Sequence, residues 1–171
     1  MFLNYFGSFI NPLCIKSVQL FFWGVIIFSN ILVVCIGNIC RSPTAEKILQ
    51  ASSPKLCISS AGISALVDKP IDESAAKELI DHGYSSEGHS ARQLDEQMIQ
   101  EADLILVMEN FQQQRLMKEY PAASGKVMLL GKWLNNLEIN DPYRKSSEAF
   151  SLVFEQIESA CKLWSDKLGG K

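Results

Sequence analysis

The sequence predicts an open, doubly wound α/β fold, in which a four-stranded parallel sheet is flanked by helices on both faces. Two observations carry this. Four short apolar runs, Ile31–Cys35, Leu56–Ser59, Leu104–Met108 and Val127–Leu130, are blocky rather than alternating, as expected of parallel strands buried on both sides. Between and after them lie segments with helical periodicity, and regular strand–helix alternation leads to a parallel sheet.

The elements follow in order. Pro43 stands where a first-turn proline belongs, ahead of Ala45, Ile48 and Leu49. Asp72 is placed to cap a helix carrying Ala75, Ala76, Leu79 and Ile80, which Gly83 ends. Asn110 is placed to cap a segment through Tyr120, closed by Pro121. The last helix is the clearest, with Phe150, Val153, Phe154, Ile157, Cys161, Trp164 and Leu168 forming one apolar stripe.

The chain has 171 residues, 47% hydrophobic and 20% charged, enough for one domain with a sizeable core. A formal net charge of −3 argues against nucleic acid as a partner, because a polyanion would be repelled overall. Five cysteines at 14, 35, 40, 57 and 161 include no Cys-x-x-Cys pair, and there are two histidines, His82 and His89. Neither a secretory disulfide framework nor a zinc site is indicated, and reduced thiols of a cytoplasmic protein are the expectation. Cys14, Cys57 and Cys161 read as core or incidental, and both histidines as capping or structural.

Residues 1–30 differ from the rest. Only Lys16 is charged there, and residues 18–28 (VQLFFWGVIIF) are nearly all apolar. That run is shorter than the roughly 20 residues a membrane span needs, and no small-residue cleavage site follows it. An interfacial anchor through residues 18–28 is a reading the sequence allows but does not favour.

The chemistry lies between the first strand and the first helix, in Cys35-Ile36-Gly37-Asn38-Ile39-Cys40-Arg41-Ser42-Pro43. Ligands of open α/β sheets bind at the carboxyl ends of strands, where this loop stands. Gly37 and Asn38 tolerate unusual backbone angles. A loop of this kind turns successive N–H groups inward, the following helix adds its positive end, and Arg41 supplies a planar fork for two oxygens. Such a site suits a doubly negative oxyanion, and its field favours a thiolate at Cys35.

CIGNICRSP at 35–43, together with Asp141-Pro142-Tyr143, resembles the low-molecular-weight protein-tyrosine phosphatase family. Ser60-Ala61-Gly62, His89–Leu94 (HSARQL) and Asp141–Lys145 (DPYRK) resemble its bacterial Wzb-type branch. The resemblance runs from about Ile31 to the C-terminus. It implies a phosphatase domain over residues 31–171 and an apolar N-terminal extension, residues 1–30, outside the family fold.

By this resemblance Cys35 is the nucleophile, Arg41 the phosphate clamp, and Asp141 the general acid. Asn38 organises the loop and Ser42 gives its hydroxyl to the thiolate. Ile36, Gly37, Asn38, Ile39, Cys40 and Ser42 form the phosphate loop around the substrate, and Leu66 and Tyr143 wall the pocket. Family members with a second loop cysteine can pair it with the nucleophile, which would give Cys40 a protective role against oxidation. Leaving-group chemistry asks for an acid independently, since a tyrosine oxygen of pKa near 10 departs slowly unprotonated.

The implied activity is hydrolysis of protein phosphotyrosine through a cysteinyl-phosphate, without metal or cofactor. The implied partner is a bacterial tyrosine autokinase of capsule or exopolysaccharide export. Three other readings are weaker. Thioredoxin-linked arsenate reductases use further downstream cysteines, and none lies between Cys57 and Cys161. Protein-arginine phosphatases carry threonine where this chain has Ile39. A silent phosphate-binding module would lack Cys35, Arg41 or Asp141, and all three are present.

Overall fold

The structure, a computed structural model, describes residues 28–169. Four parallel strands, β1 (Asn30–Cys35), β2 (Cys57–Gly62), β3 (Leu104–Val107) and β4 (Val127–Leu129), form one sheet in the order β2-β1-β3-β4. The helices are α1 (Arg41–Ser52), α2 (Glu73–Asp81), α3 (Glu96–Glu101), α4 (Asn110–Glu119) and α5 (Ser147–Leu168), with a 3₁₀ turn over Pro121–Lys126.

The blocky strands are explained by burial on both faces. Ile31, Val33 and Cys35 of β1 point into a core shared with α1, α2 and α5, while Leu32 and Val34 point into a second core with α3 and α4. The α5 stripe is buried from Phe150 to Trp164, and the Trp164 indole N–H donates to Leu130 O at 2.7 Å, satisfying its one polar atom. The Asp72 side chain accepts from Ser74 N–H, and Gly83 adopts φ 82° after α2, as the cap signals require.

Three local expectations need correction. β2 starts and ends later than the apolar run Leu56–Ser59, because Ser60, Ala61 and Gly62 continue the pairing with β1 up to Cys35↔Gly62. These small residues carry no hydrophobic signal, yet a Cβ at Gly62 would stand 2.6 Å from Ile36 O, so the loop after β1 needs glycine there. Asn110 is the first residue of α4 rather than its cap. Glu109 takes the extended cap conformation, and Asn110 gives its N–H and its side-chain amide to Glu138. Finally α3, six polar-rich residues capped by Asp95, escaped the periodicity because only Ile99 of it is buried.

β1 has neighbours on both sides that follow it in sequence, so the chain reverses its direction of winding there. The crevice beyond the carboxyl ends of β1 and β3 is therefore the place for a ligand. No helix among the described residues is long and apolar enough to cross a membrane. The expectations for residues 1–27, including most of the 18–28 run, lie outside the described residues.

Candidate active site

The loop from Ile36 to Cys40 is anchored by its carbonyls. Ile36 O accepts from Ser64 N–H, Gly37 O from Leu66 N–H, Asn38 O from His89 Nε2, Ile39 O from Asp72 N–H, and Cys40 O from Thr44 N–H and its hydroxyl, all at 2.7–3.1 Å. The backbone N–H groups of Gly37, Ile39 and Cys40 find no acceptor among the described residues. Outward carbonyls and unbonded amides make an anion nest directly ahead of the α1 N-terminus. Asn38, at φ 56°, supplies the left-handed residue the turn needs, whereas Gly37 has an ordinary φ and only van der Waals neighbours.

Two donors converge on the Cys35 sulfur. Asn38 N–H lies 3.2 Å from Sγ and the Ser42 hydroxyl 2.9 Å. The Asn38 side-chain amide donates to both Ser42 Oγ and Ser60 Oγ, so the Ser42 hydroxyl is left to donate to sulfur. Ser60 in turn donates to Glu46 Oε2 at 2.5 Å, and Asn38 Oδ1 accepts from Arg92 N–H. This chain of bonds fixes the two donors that face the Cys35 sulfur.

Arg41 is 1% exposed and is held by three groups. Its Nη1 donates to Glu109 Oε2 at 2.6 Å and to Ile139 O at 2.9 Å, and its Nη2 donates to Asp141 Oδ2. Nη1 is thus tied back to the β3–α4 junction, leaving the Nε–Nη2 edge as the side on which two oxygens could be gripped. Asp141 also accepts Tyr143 N–H on Oδ1 at 3.0 Å, which orients its carboxyl by a two-residue turn.

One cleft collects most of the expected residues. It is lined by Cys35, Ile36, Gly37, Ile39, Cys40 and Arg41 on the loop side, with Asp141, Tyr143, Ser64 and Leu66 around them. Leu66 reaches it because its N–H is bonded to Gly37 O, and it faces outward with 42% exposure. Asn38 and Ser42 are fully buried behind the loop and do not line the cleft; their side chains join the hydrogen bonds around the Cys35 sulfur.

Burial pushes the Cys40 thiol far up, and the negative charges of Asp72, Cys35 and Asp141 add to this. Cys40 is accordingly a neutral thiol at physiological pH. His89 is shifted down from 6.5, chiefly by burial, although the Asn38 carbonyl and Glu46, 3.9 Å away, pull the other way. It is neutral at pH 7 and donates through Nε2. Among the described residues there is no group of three or more His, Cys, Asp or Glu that could hold a metal ion.

Sequence reasoning missed Glu109, Glu46 and Ser64, and held Ser60 and Arg92 only inside motifs of the resemblance, without a role at the site. Only Glu109 had a usable signal, as the acidic residue just past the carboxyl end of β3, beside the crevice. The others belong to the loop's surroundings through contacts 14 to 54 residues apart in sequence.

A family model described as low molecular weight phosphotyrosine protein phosphatase matches residues 30–171. Among curated proteins, the chain is 48% identical to the low molecular weight protein-tyrosine-phosphatase Wzb of Escherichia coli K12 over 144 residues, covering 84% of this chain and 98% of that protein. Among solved structures, it is similar to the tyrosine phosphatase Wzb from Escherichia coli K30 in complex with sulphate, with a TM-score of 0.81, 44% identity, and 83% and 99% of the two chains covered. The YwlE arginine phosphatase from Geobacillus stearothermophilus gives a TM-score of 0.78 at 26% identity, over 82% of this chain and 93% of that one.

Proposed function

The chain belongs to the low molecular weight protein-tyrosine-phosphatase family, and we propose that it hydrolyses protein phosphotyrosine through a cysteinyl-phosphate formed on Cys35. The observation that carries this reading is the convergence of two donors on Cys35 Sγ within a loop of unbonded amides, with Arg41 and Asp141 on the same cleft.

The steps follow from that geometry. The phosphate dianion enters the amide nest and takes the Nε–Nη2 edge of Arg41, displacing Asp141 from Nη2. The Cys35 thiolate attacks phosphorus as the bond to the tyrosine oxygen breaks in line, and the protonated Asp141 carboxyl gives its proton to that oxygen. Asp141, now a carboxylate, takes a proton from a water that attacks the cysteinyl-phosphate. The P–S bond breaks, releasing inorganic phosphate and restoring the thiolate. Ile36, Gly37, Ile39 and Cys40 contribute the cradle, while Leu66 and Tyr143 flank the aromatic ring of the substrate. The nest and the guanidinium balance the developing charge.

The substrate in the cell is proposed to be a bacterial tyrosine autokinase of capsule or exopolysaccharide export, acted on in the cytoplasm. The similarity to Wzb supports this. Of the N-terminal extension, residues 1–30, the part before residue 28 is proposed to be one that the phosphatase domain does not need. A second reading, phosphoarginine hydrolysis, is favoured by the similarity to the YwlE arginine phosphatase, but the apolar Ile39 on the cleft wall suits a phenyl ring better than a guanidinium. The test is turnover by the full chain and by residues 28–171 on phosphotyrosine, phosphoserine and phosphoarginine peptides. Selective phosphotyrosine hydrolysis by both proteins is expected. Preferred turnover of phosphoarginine would overturn the substrate assignment, and an inactive short form would overturn the division of the chain.

A further inference from the structure

The turn that carries Asp141 also brings a cation to the mouth of the cleft. Arg144 follows directly on Tyr143, one of the cleft walls, and its guanidinium lies over the Tyr143 ring, 5.2 Å from the centroid. Its backbone sits at φ 61°, a conformation residues with a Cβ rarely adopt. The turn is closed by Lys145 N–H donating to Pro142 O at 2.9 Å and Tyr143 N–H donating to Asp141 Oδ1. Asp141, Tyr143 and Arg144 are therefore fixed relative to one another.

Charge at the site is unevenly distributed. Inside, Arg41 faces two carboxylates, Glu109 and Asp141, so its charge is more than offset before a ligand enters. At the rim, Arg144 and Lys145 are exposed, and neither forms an ion pair among the described residues. The opposite wall at Leu66 is apolar. A peptide laid across this mouth meets the unpaired charges of Arg144 and Lys145 on the Tyr143 side. Residues one or two positions from the phosphotyrosine stand about 3–7 Å along the peptide, within reach of a guanidinium on the next residue of the wall.

We propose that Arg144 is a specificity-determining residue that selects phosphotyrosines flanked by acidic side chains. This rests on the phosphotyrosine reading above and names its substrate class more narrowly. An exposed Arg–carboxylate contact predicts about a two- to fivefold preference, fading as salt is raised.

The experiment compares kcat/KM on two phosphotyrosine peptides of equal length, one flanked by glutamates and one by glutamines, using the full chain and its Arg144→Gln, Arg144→Lys and Arg144→Glu variants. The ratio between the two peptides is read within each protein, so that a general loss of activity cancels. The native chain and Arg144→Lys should prefer the acidic peptide, Arg144→Gln, which keeps only Lys145, should show a clearly smaller preference, and Arg144→Glu should lose or invert it. A native chain without preference, or an Arg144→Gln variant with the native ratio, overturns the proposal. An equal loss on both peptides in Arg144→Gln that leaves the ratio as it was would make Arg144 only a brace for Tyr143, which also overturns it. No turnover of either peptide by the native chain would instead refute the phosphotyrosine reading beneath it.

Discussion

Removing the carboxylate of Glu109 tests whether the orientation of Arg41 limits phosphate binding. Glu109 Oε2 receives Arg41 Nη1 at 2.6 Å and the Gln112 amide at 3.3 Å, while Gln112 Oε1 is held by Met108 N–H at 2.9 Å. Gln112 is fully buried, so this carboxylate is braced from behind. Stranding one member of a fully buried ion pair costs about 3–5 kcal/mol. Here the guanidinium is 1% exposed but the Glu109 side chain is 19% exposed, so water screens part of the loss. About 2 kcal/mol of folding stability remains at stake.

Glu109→Ala should therefore cost about 2 kcal/mol of stability and, by freeing Nη1 so that the guanidinium turns away from the nest, should also raise the inhibition constant of inorganic phosphate and KM for a phosphotyrosine peptide. Glu109→Gln, which keeps an acceptor for Nη1, should lose less, and Glu109→Asp should recover part of the affinity. The assay is steady-state kinetics with phosphate as competitive inhibitor, run beside a thermal melt. A purely structural Glu109 would lower the melting temperature and leave phosphate affinity untouched. That result would refute the reasoning.

Three further expectations follow from the same site. Asp141→Ala should lose most of the roughly 10²–10⁴-fold contribution of a general acid on phosphotyrosine, and visibly less on an aryl phosphate with an electron-poor ring, whose anion leaves unaided; an equal fractional loss across leaving groups would remove the acid assignment. Cys35 and Cys40 line one cleft, so mild peroxide should inactivate the native enzyme reversibly, whereas Cys40→Ser should regain less activity with thiol reductant, and equal recovery of the two would deny Cys40 a protective role. His89 is shifted down, so the unfolded chain takes its proton more readily than the folded one; the stability this contributes is complete above about pH 6.5 and lost as pH falls below it. Thermal melts between pH 7.5 and 5.5 should show a shallower decline for His89→Gln than for the native chain, and parallel curves would mean that His89 does not govern this slope.

What the sequence determined by itself was local or periodic. The four apolar runs, the α5 stripe, the Asp72 cap and the Gly83 stop are each written in a few neighbouring residues, because burial on both faces and helix-end chemistry act over that range. The loop from Cys35 to Ser42 was legible as a candidate site for the same reason: its residues are contiguous, and the strand before it and helix after it fix where it stands. Tertiary structure decided the rest. Glu109 and Ile139 tie back one side of Arg41 from 68 and 98 residues away, and Asp141 meets it from 100. Ser60 extends β2 with no hydrophobic signal because its hydroxyl is needed behind the loop, where it joins Asn38 to Glu46. A hydrogen bond between groups so far apart leaves no period in the sequence; only the parallel packing of β1 between β2 and β3 brings those donors and acceptors within 3 Å.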